Sequence, residues 1–258
     1  MINSALYRDP QMLDVKQHRN KRLKVPDNYA VARTMHAAFL TATEFPQTCV
    51  ETPIIFVRTG EQQGGKPVVS SVALLGLVAG ENLCVDEQGR WLGHYVPAFI
   101  RRFPFVSIQL EGAPSPSVFV DVAFEGFNDT EGDRLFDDEG KPADALKRVI
   151  EFLERFDQEQ LRTSMFCQRL VELDLLKDMS ADATLPGGET LKVEGFLSVD
   201  EEKLGQLPDA AVMELHRSGM LMLIHAHLLS LTNMRELIQR KYLRLAAQPA
   251  AATPKGTA

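Results

Sequence analysis

Two constellations in the chain have residue types and spacing that could do chemistry. The first is His225-Ala226-His227. On a strand, side chains two positions apart share a face, so both imidazoles could reach one metal ion. The second is Trp91, Tyr95, Arg101 and Arg102, which sets the only tryptophan of the chain near a tyrosine and an arginine pair. Trp, Tyr and Arg carry much of the binding energy at interfaces, and a guanidinium holds a carboxylate or phosphate through paired hydrogen bonds. These four residues are candidate contacts for a protein or peptide partner. The competing reading is structural: a tryptophan anchoring a hairpin to the core, with arginine stems laid over aromatic rings.

The histidines also have two readings. Met220–Leu231 is apolar on both parities, which suits a buried central strand, and Gly219 stands before it as in a cupin metal motif. The glutamate that such a motif wants soon after His227 is missing, and on a helix the two rings would diverge. Leu221, Leu223, Leu229 and Leu231 would share their strand face, which favours core histidines bonded to backbone over a metal site. Residues 60–66 spell Gly-Glu-Gln-Gln-Gly-Gly-Lys, a phosphate-loop pattern. Pro67 follows where a hydroxyl and a helix are needed, so this is a hairpin turn. The acidic stretch 125–141 lacks calcium-loop spacing and reads as a solvated loop. Nothing sets a serine or cysteine beside a base, and no cofactor fingerprint occurs. The reading therefore leans away from an enzyme and calls for no cofactor.

Lys and Arg number 28 against 35 Asp and Glu, a net charge of −7. That excludes a general nucleic-acid binder, which needs a basic face. The basic cluster Lys16, His18, Arg19, Lys21, Arg22 and Lys24 reads as a solvated surface segment, with a docking arm for an acidic partner as the alternative. The apolar runs at 68–80 and 219–231 fall short of the roughly 20 residues that span a bilayer. Three scattered cysteines and no visible leader lead us to expect a cytoplasmic location, with non-classical export to the cell surface left open.

The elements that must position these residues form one α+β domain over 1–245 with a disordered tail at 246–258. The spacing of Val31, Met35, Ala38 and Phe39 predicts a helix from Asn28, and a short helix follows with Pro46 in its first turn. Strands are expected at Pro53–Arg58, Val68–Ala79, Phe105–Leu110 and Val118–Val122, giving a mostly antiparallel sheet in the first half. Around Asp86–Gly89 a further hairpin is expected, then a short helix from Pro97. After Pro142, Leu146, Val149, Ile150, Leu153 and Phe156 make an apolar stripe. A second helix with Leu161, Met165, Leu170 and Leu173 inward would complete a helical hairpin. A turn at Pro186-Gly187-Gly188, a strand at Leu191–Val199, helices at Glu201–Leu207 and Asp209–Arg217, the strand at 220–231 and a capped final helix form a strand-helix unit.

Residues 80–105 resemble the signature of the SapC family of bacterial proteins. The likeness continues through Pro53–Phe56, Leu135–Gly140, Gly195–Asp200 and Gly219–Leu231, covering about residues 15–243. The family name is associated with a bacterial surface layer, and members neighbour halogenase-like proteins and TonB-dependent receptors. The resemblance carries no catalytic residues. It implies a surface-layer or outer-membrane uptake setting, and the Trp91–Arg102 residues themselves lead us to expect a soluble, non-enzymatic accessory protein that binds a protein or peptide partner there. A His225/His227 metal enzyme and a self-assembling surface-layer subunit are the alternatives, and a homo-oligomer is left open.

Overall fold

The computed structural model of the chain describes residues 6–184 and 190–247. The turn expected at Pro186-Gly187-Gly188 and the tail beyond Ala247 lie outside the described residues. The chain opens with β1 (Pro10–Met12), α1 (Val15–His18), β2 (Arg22–Leu23), a 3-10 turn at Ala30–Ala32 and β3 (Ala37–Phe39). A second 3-10 turn, Ala42–Glu44, leads into α2 (Phe45–Thr48), with Pro46 in its first turn as the sequence predicts. Next, β4 (Ile54–Gln63) and β5 (Lys66–Leu74) pair down to Gln63 opposite Lys66. Gly64 and Gly65 turn the chain at φ of 57° and 77°, the left-handed geometry that matches strand twist. The phosphate-loop spelling is thus a hairpin turn.

Then come α3 (Ala98–Arg101), β6 (Phe105–Ile108), β7 (Ser117–Asp121), β8 (Phe127–Asn128), β9 (Asp133–Arg134) and α4 (Asp144–Glu172). Finally β10 (Leu176–Thr184) and β11 (Thr190–Val199) precede α5 (Glu201–Gly205), α6 (Asp209–Arg217), α7 (Met220–Ser230) and α8 (Met234–Ala247). The strands make three antiparallel sheets, ordered β10-β11-β4-β5-β3, β1-β7-β6 and β8-β2-β9. This is an α+β fold, as expected.

Three expectations fail in detail. The helical hairpin is one helix: α4 runs unbroken for 29 residues, about 43 Å at the standard rise. The polar stretch 157–160 looked like a break, but it crosses between two hydrophobic cores. Leu146 and Leu153 sit in the smaller core with Phe105, Val120 and Leu135; Phe166, Cys167 and Leu170 sit in the larger one. Leu161 and Met165, expected inward, are exposed, because the buried face past the crossing follows Thr163, Phe166, Cys167 and Leu170.

Residues 220–231 are helical rather than a strand. Ile224, His227 and Ser230 form the buried face, while Met222, His225 and Leu229 are exposed. The segment is rich in Leu, Met and Ala, strong helix formers, and Ile224 is its single β-branched residue before Thr232. The helix expected from Asn28 is replaced by the 3-10 turn and β3, which pairs with β5 at the sheet edge. The hairpin expected around Asp86–Gly89 is present but short, one antiparallel bridge between Val85 and Trp91 flanked by backbone bonds from Asp86 N to the Arg90 carbonyl and from Leu92 N to the Cys84 carbonyl.

The basic segment and the acidic loop explain each other. β2 lies between β8 and β9, the two short strands of that loop. Lys21 pairs with Asp129 at 2.9 Å and Lys24 with Glu131 at 2.8 Å, while Arg22 donates to the Gly132 carbonyl and Arg19 to that of Asp138. Exposed pairs of this kind contribute about 0–1 kcal/mol each, so the strand ladder and Leu23 in the smaller core do more to hold the segment.

Candidate functional site

A buried carboxylate, Glu44, and a half-buried one, Glu51, order the segment that leads into the arginine pair. Thr41-Ala-Thr-Glu44 is a capping box, in which Glu44 Oε2 accepts from the Thr41 backbone N at 2.8 Å and from Thr41 Oγ1 at 2.7 Å. Its other oxygen reaches across the chain. Glu44 Oε1 accepts from the Ala98 backbone N at 2.6 Å and from the Tyr95 hydroxyl at 3.0 Å. One side chain therefore serves the first turn of two helical segments. Glu51 holds the approach, accepting from the backbone N of His94 and of Tyr95, both at 2.7 Å.

Tyr95 passes this order on. Its hydroxyl accepts from Arg101 Nη2 at 3.0 Å, while Arg101 Nε donates to the Val96 carbonyl at 2.9 Å. Burial, with the negative charge of Glu44 second, pushes the Tyr95 phenol up to about 12, so it stays protonated. The exposed Arg101 guanidinium lies 5.4 Å from the Tyr95 ring centroid and 5.5 Å from that of Phe152 on α4.

Arg102 has a different setting. It is only 8% exposed, so it is no open surface contact. Its guanidinium lies 4.1 Å from the Phe99 ring centroid and 5.0 Å from that of Phe156. Burial holds it below the ordinary arginine range, offset in part by Tyr7 and Asp157. Its Nε has no hydrogen-bond partner among the described residues.

Arg101 and Arg102 both line a cavity of about 370 Å³ between α3, the chain after β2, and the first half of α4. Tyr29, Ile100, Val149 and Phe152 give it apolar walls, and Arg148 and Asp133 add an arginine and a carboxylate, while the Arg102 guanidinium packs on Phe99 and Phe156, two residues outside the lining. Arg148 and Asp133 pair at 3.4 Å. Such a cavity, mostly apolar with a few convergent charges, is the usual form of a ligand site. Sequence reading missed Tyr29, Asp133, Arg148 and Phe152. They come from three separate segments, with Arg148 and Phe152 one turn apart on α4, and no local pattern joins the three.

The SapC family model matches residues 13–237. The chain belongs to the SapC family. No curated protein and no solved structure matches it. Much of the SapC signature at 80–105 builds scaffold. Asn82 is fully buried, donates to the Ala32 carbonyl at 2.9 Å and accepts from the Cys84 backbone N at 2.8 Å. Glu81 receives Lys241 of α8 at 2.7 Å, and Arg244 donates to the carbonyls of Asn82 and Val85. Trp91 is half-buried, packs against the larger core and meets Tyr29 edge-on at 5.9 Å. It stands behind a cavity wall, outside the lining, as does Tyr95.

The histidines separate. His227 is fully buried, its Nδ1 donating to the Ile54 carbonyl at 2.8 Å and its Nε2 accepting from the Val199 backbone N at 3.0 Å. His225 is exposed on another face of α7. The shared metal site needed a strand here, and the helix removes that geometry. Among the described residues no group of three or more His, Cys, Asp or Glu could hold a metal ion, and no helix is long and apolar enough to cross a membrane.

Proposed function

We propose that the protein is a non-enzymatic binding protein that recognises a protein or peptide partner through the cavity face bearing Arg101 and Arg148. The observation that carries this reading is the pairing of apolar walls with two exposed arginines, Arg101 and Arg148, in the lining of one cavity. Interfaces favour such a combination, because a desolvated arginine beside aromatic rings gives both affinity and orientation. The titratable lining groups also support binding over catalysis. Arginine is a poor proton donor at neutral pH, and the one carboxylate, Asp133, is paired with Arg148. A bacterial surface-layer or outer-membrane uptake setting, implied by the family resemblance, is part of this proposal.

The test substitutes the two exposed arginines. Arg102 is left in place, because its removal would open a void between Phe99 and Phe156. Arg101→Ala with Arg148→Ala should keep a single cooperative urea transition and cost about 1 kcal/mol, since Arg101 gives up exposed bonds to Tyr95 and Val96 and Arg148 an exposed ion pair. Capture of partner from native lysate by the tagged protein should fall severalfold. Equal capture by both proteins would refute the reading.

A further inference from the structure

We infer that His18 is a pH-sensitive latch: neutral, it holds α1 and β2 against the short strands of the acidic loop, and protonated in mild acid, it lets that segment open while the main sheet stays folded. The latch works whatever the cavity binds. His18 closes the last turn of α1 and is only 5% exposed. Its ring meets Phe127 of β8 edge-on, with centroids 5.5 Å apart, and Phe127 belongs to the smaller core. His18 Nδ1 accepts from the Asp14 backbone N at 3.1 Å. An imidazole nitrogen accepts only while it carries no proton, so this bond requires the neutral ring.

Two charged groups act on the ring, Asp14 and Lys21. The Asp14 carboxylate favours a proton on His18, but it is already committed as the N-cap of α1, accepting from the Lys16 backbone N at 2.6 Å. Turning it toward a protonated Nδ1 gives up that cap, so α1 loses a bond at its start either way. The Lys21 ammonium opposes protonation. It lies 5.8 Å from the centroid of the same Phe127 ring and pairs with Asp129 at 2.9 Å. Burial is the largest influence and sets His18 below its ordinary 6.5. The opened segment therefore takes up a proton near pH 6.5 that the closed one resists, so closure is complete above pH 6.5 and is lost as pH falls. Little else holds the segment. β2 is two residues long, and the ion pairs Lys21–Asp129 and Lys24–Glu131 are exposed and contribute about 0–1 kcal/mol each. Elements with so few buried contacts open locally, without global unfolding. Val25, Pro26, Asn28, Tyr29 and Val31, next along the chain, line the cavity, so opening of β2 loosens one of its walls.

Hydrogen exchange read by mass spectrometry tests this on the full chain at pH 7.5 and 5.5, with each rate divided by the intrinsic rate at that pH. Carboxylates ordinarily titrate near about 4, so histidines dominate this window. Peptides covering residues 14–24 should lose at least about threefold in protection, up to the linkage limit of about tenfold for one histidine. In His18→Gln, which keeps a neutral acceptor and does not titrate, the loss should stay under about twofold. The variant retains His227, so the response of the main sheet to acid is common to both proteins. An equal loss in both overturns the inference, as does unchanged protection in the wild type. Titration of the wild-type His18 ring by NMR decides the matter if the Gln variant exchanges fast at both pH values. A midpoint below 6.5 supports the latch, and one at or above 6.5 overturns it.

Discussion

His227 should make the protein lose stability in acid by a predictable amount. From α7 it ties two strands of the main sheet, donating from Nδ1 to Ile54 of β4 and accepting at Nε2 from Val199 of β11. Ser230, one turn on, accepts from the Ile54 backbone N at 2.8 Å, so the junction is fully bonded. The arrangement requires a neutral ring, because a proton on Nε2 would face the Val199 N–H. Burial accordingly lowers His227 from 6.5 to about 4. The unfolded chain thus takes up a proton near pH 6.5 that the folded one refuses until about pH 4. Stability from this group is complete above pH 6.5 and drains away at about 1.4 kcal/mol per pH unit as pH falls. By pH 4.5 the loss should reach about 2.5 kcal/mol. Urea denaturation of the wild type and His227→Gln from pH 7.5 to 4.5 measures it. The variant should be less stable by about 2–4 kcal/mol at pH 7.5, from the lost bonds and the stranded Val199 N–H. Other titrating groups act in both proteins, so the difference between them isolates His227, and that gap should narrow by about 2.5 kcal/mol at pH 4.5. A gap independent of pH would refute the neutral bridge.

Glu44→Gln should destabilise by about 2–3 kcal/mol, because either amide orientation aims an NH2 at the backbone N–H of Thr41 or of Ala98. A change in urea midpoint worth under about 0.5 kcal/mol would show that the four-bonded carboxylate is dispensable. Gly132→Ala should lower stability by at least about 2 kcal/mol, since the residue adopts φ of 93° and a Cβ would lie 2.1 Å from the Leu23 carbonyl oxygen. Calorimetry showing an unchanged melting temperature would mean that the acidic loop does not clamp β2 as described.

What the sequence revealed depended on whether local chemistry decided the structure. The β4–β5 hairpin was legible because β-branched runs flank a Gly-Gly turn, and α6 because Gly219 stops it at φ of 77°. β3 was not, because Ala37–Phe39 is extended only through pairing with β5, against its own helical spacing. α4 was misread as two helices because its stripe shifts between cores, a fact of packing invisible in a window of residues. In the site, Trp91, Tyr95, Arg101 and Arg102 were visible as residue types, while their division between support and cavity wall depended on Glu44, Glu51 and α4. Arg148 stood on α4 with nothing local to distinguish it from the helix's other exposed charges.

Charge runs draw the eye in a sequence, and in this fold the two most obvious ones are turned toward each other. Lys21 and Lys24 are answered by Asp129 and Glu131, so neither the basic segment nor the acidic loop is left with its whole charge for a partner. Arg101, next to an apolar hollow, is answered by a hydroxyl and a carbonyl instead, while Arg102 is stacked on phenyl rings within the field of Asp157. Coulomb attraction is weak where water screens it and strong where water is excluded, so a charge beside an apolar hollow is screened less than a lysine on an open face. The proposed partner recognition through the cavity predicts capture that depends less on added salt than a surface charge patch would, and a steep loss of capture with ionic strength would place the contact on the exposed rim instead.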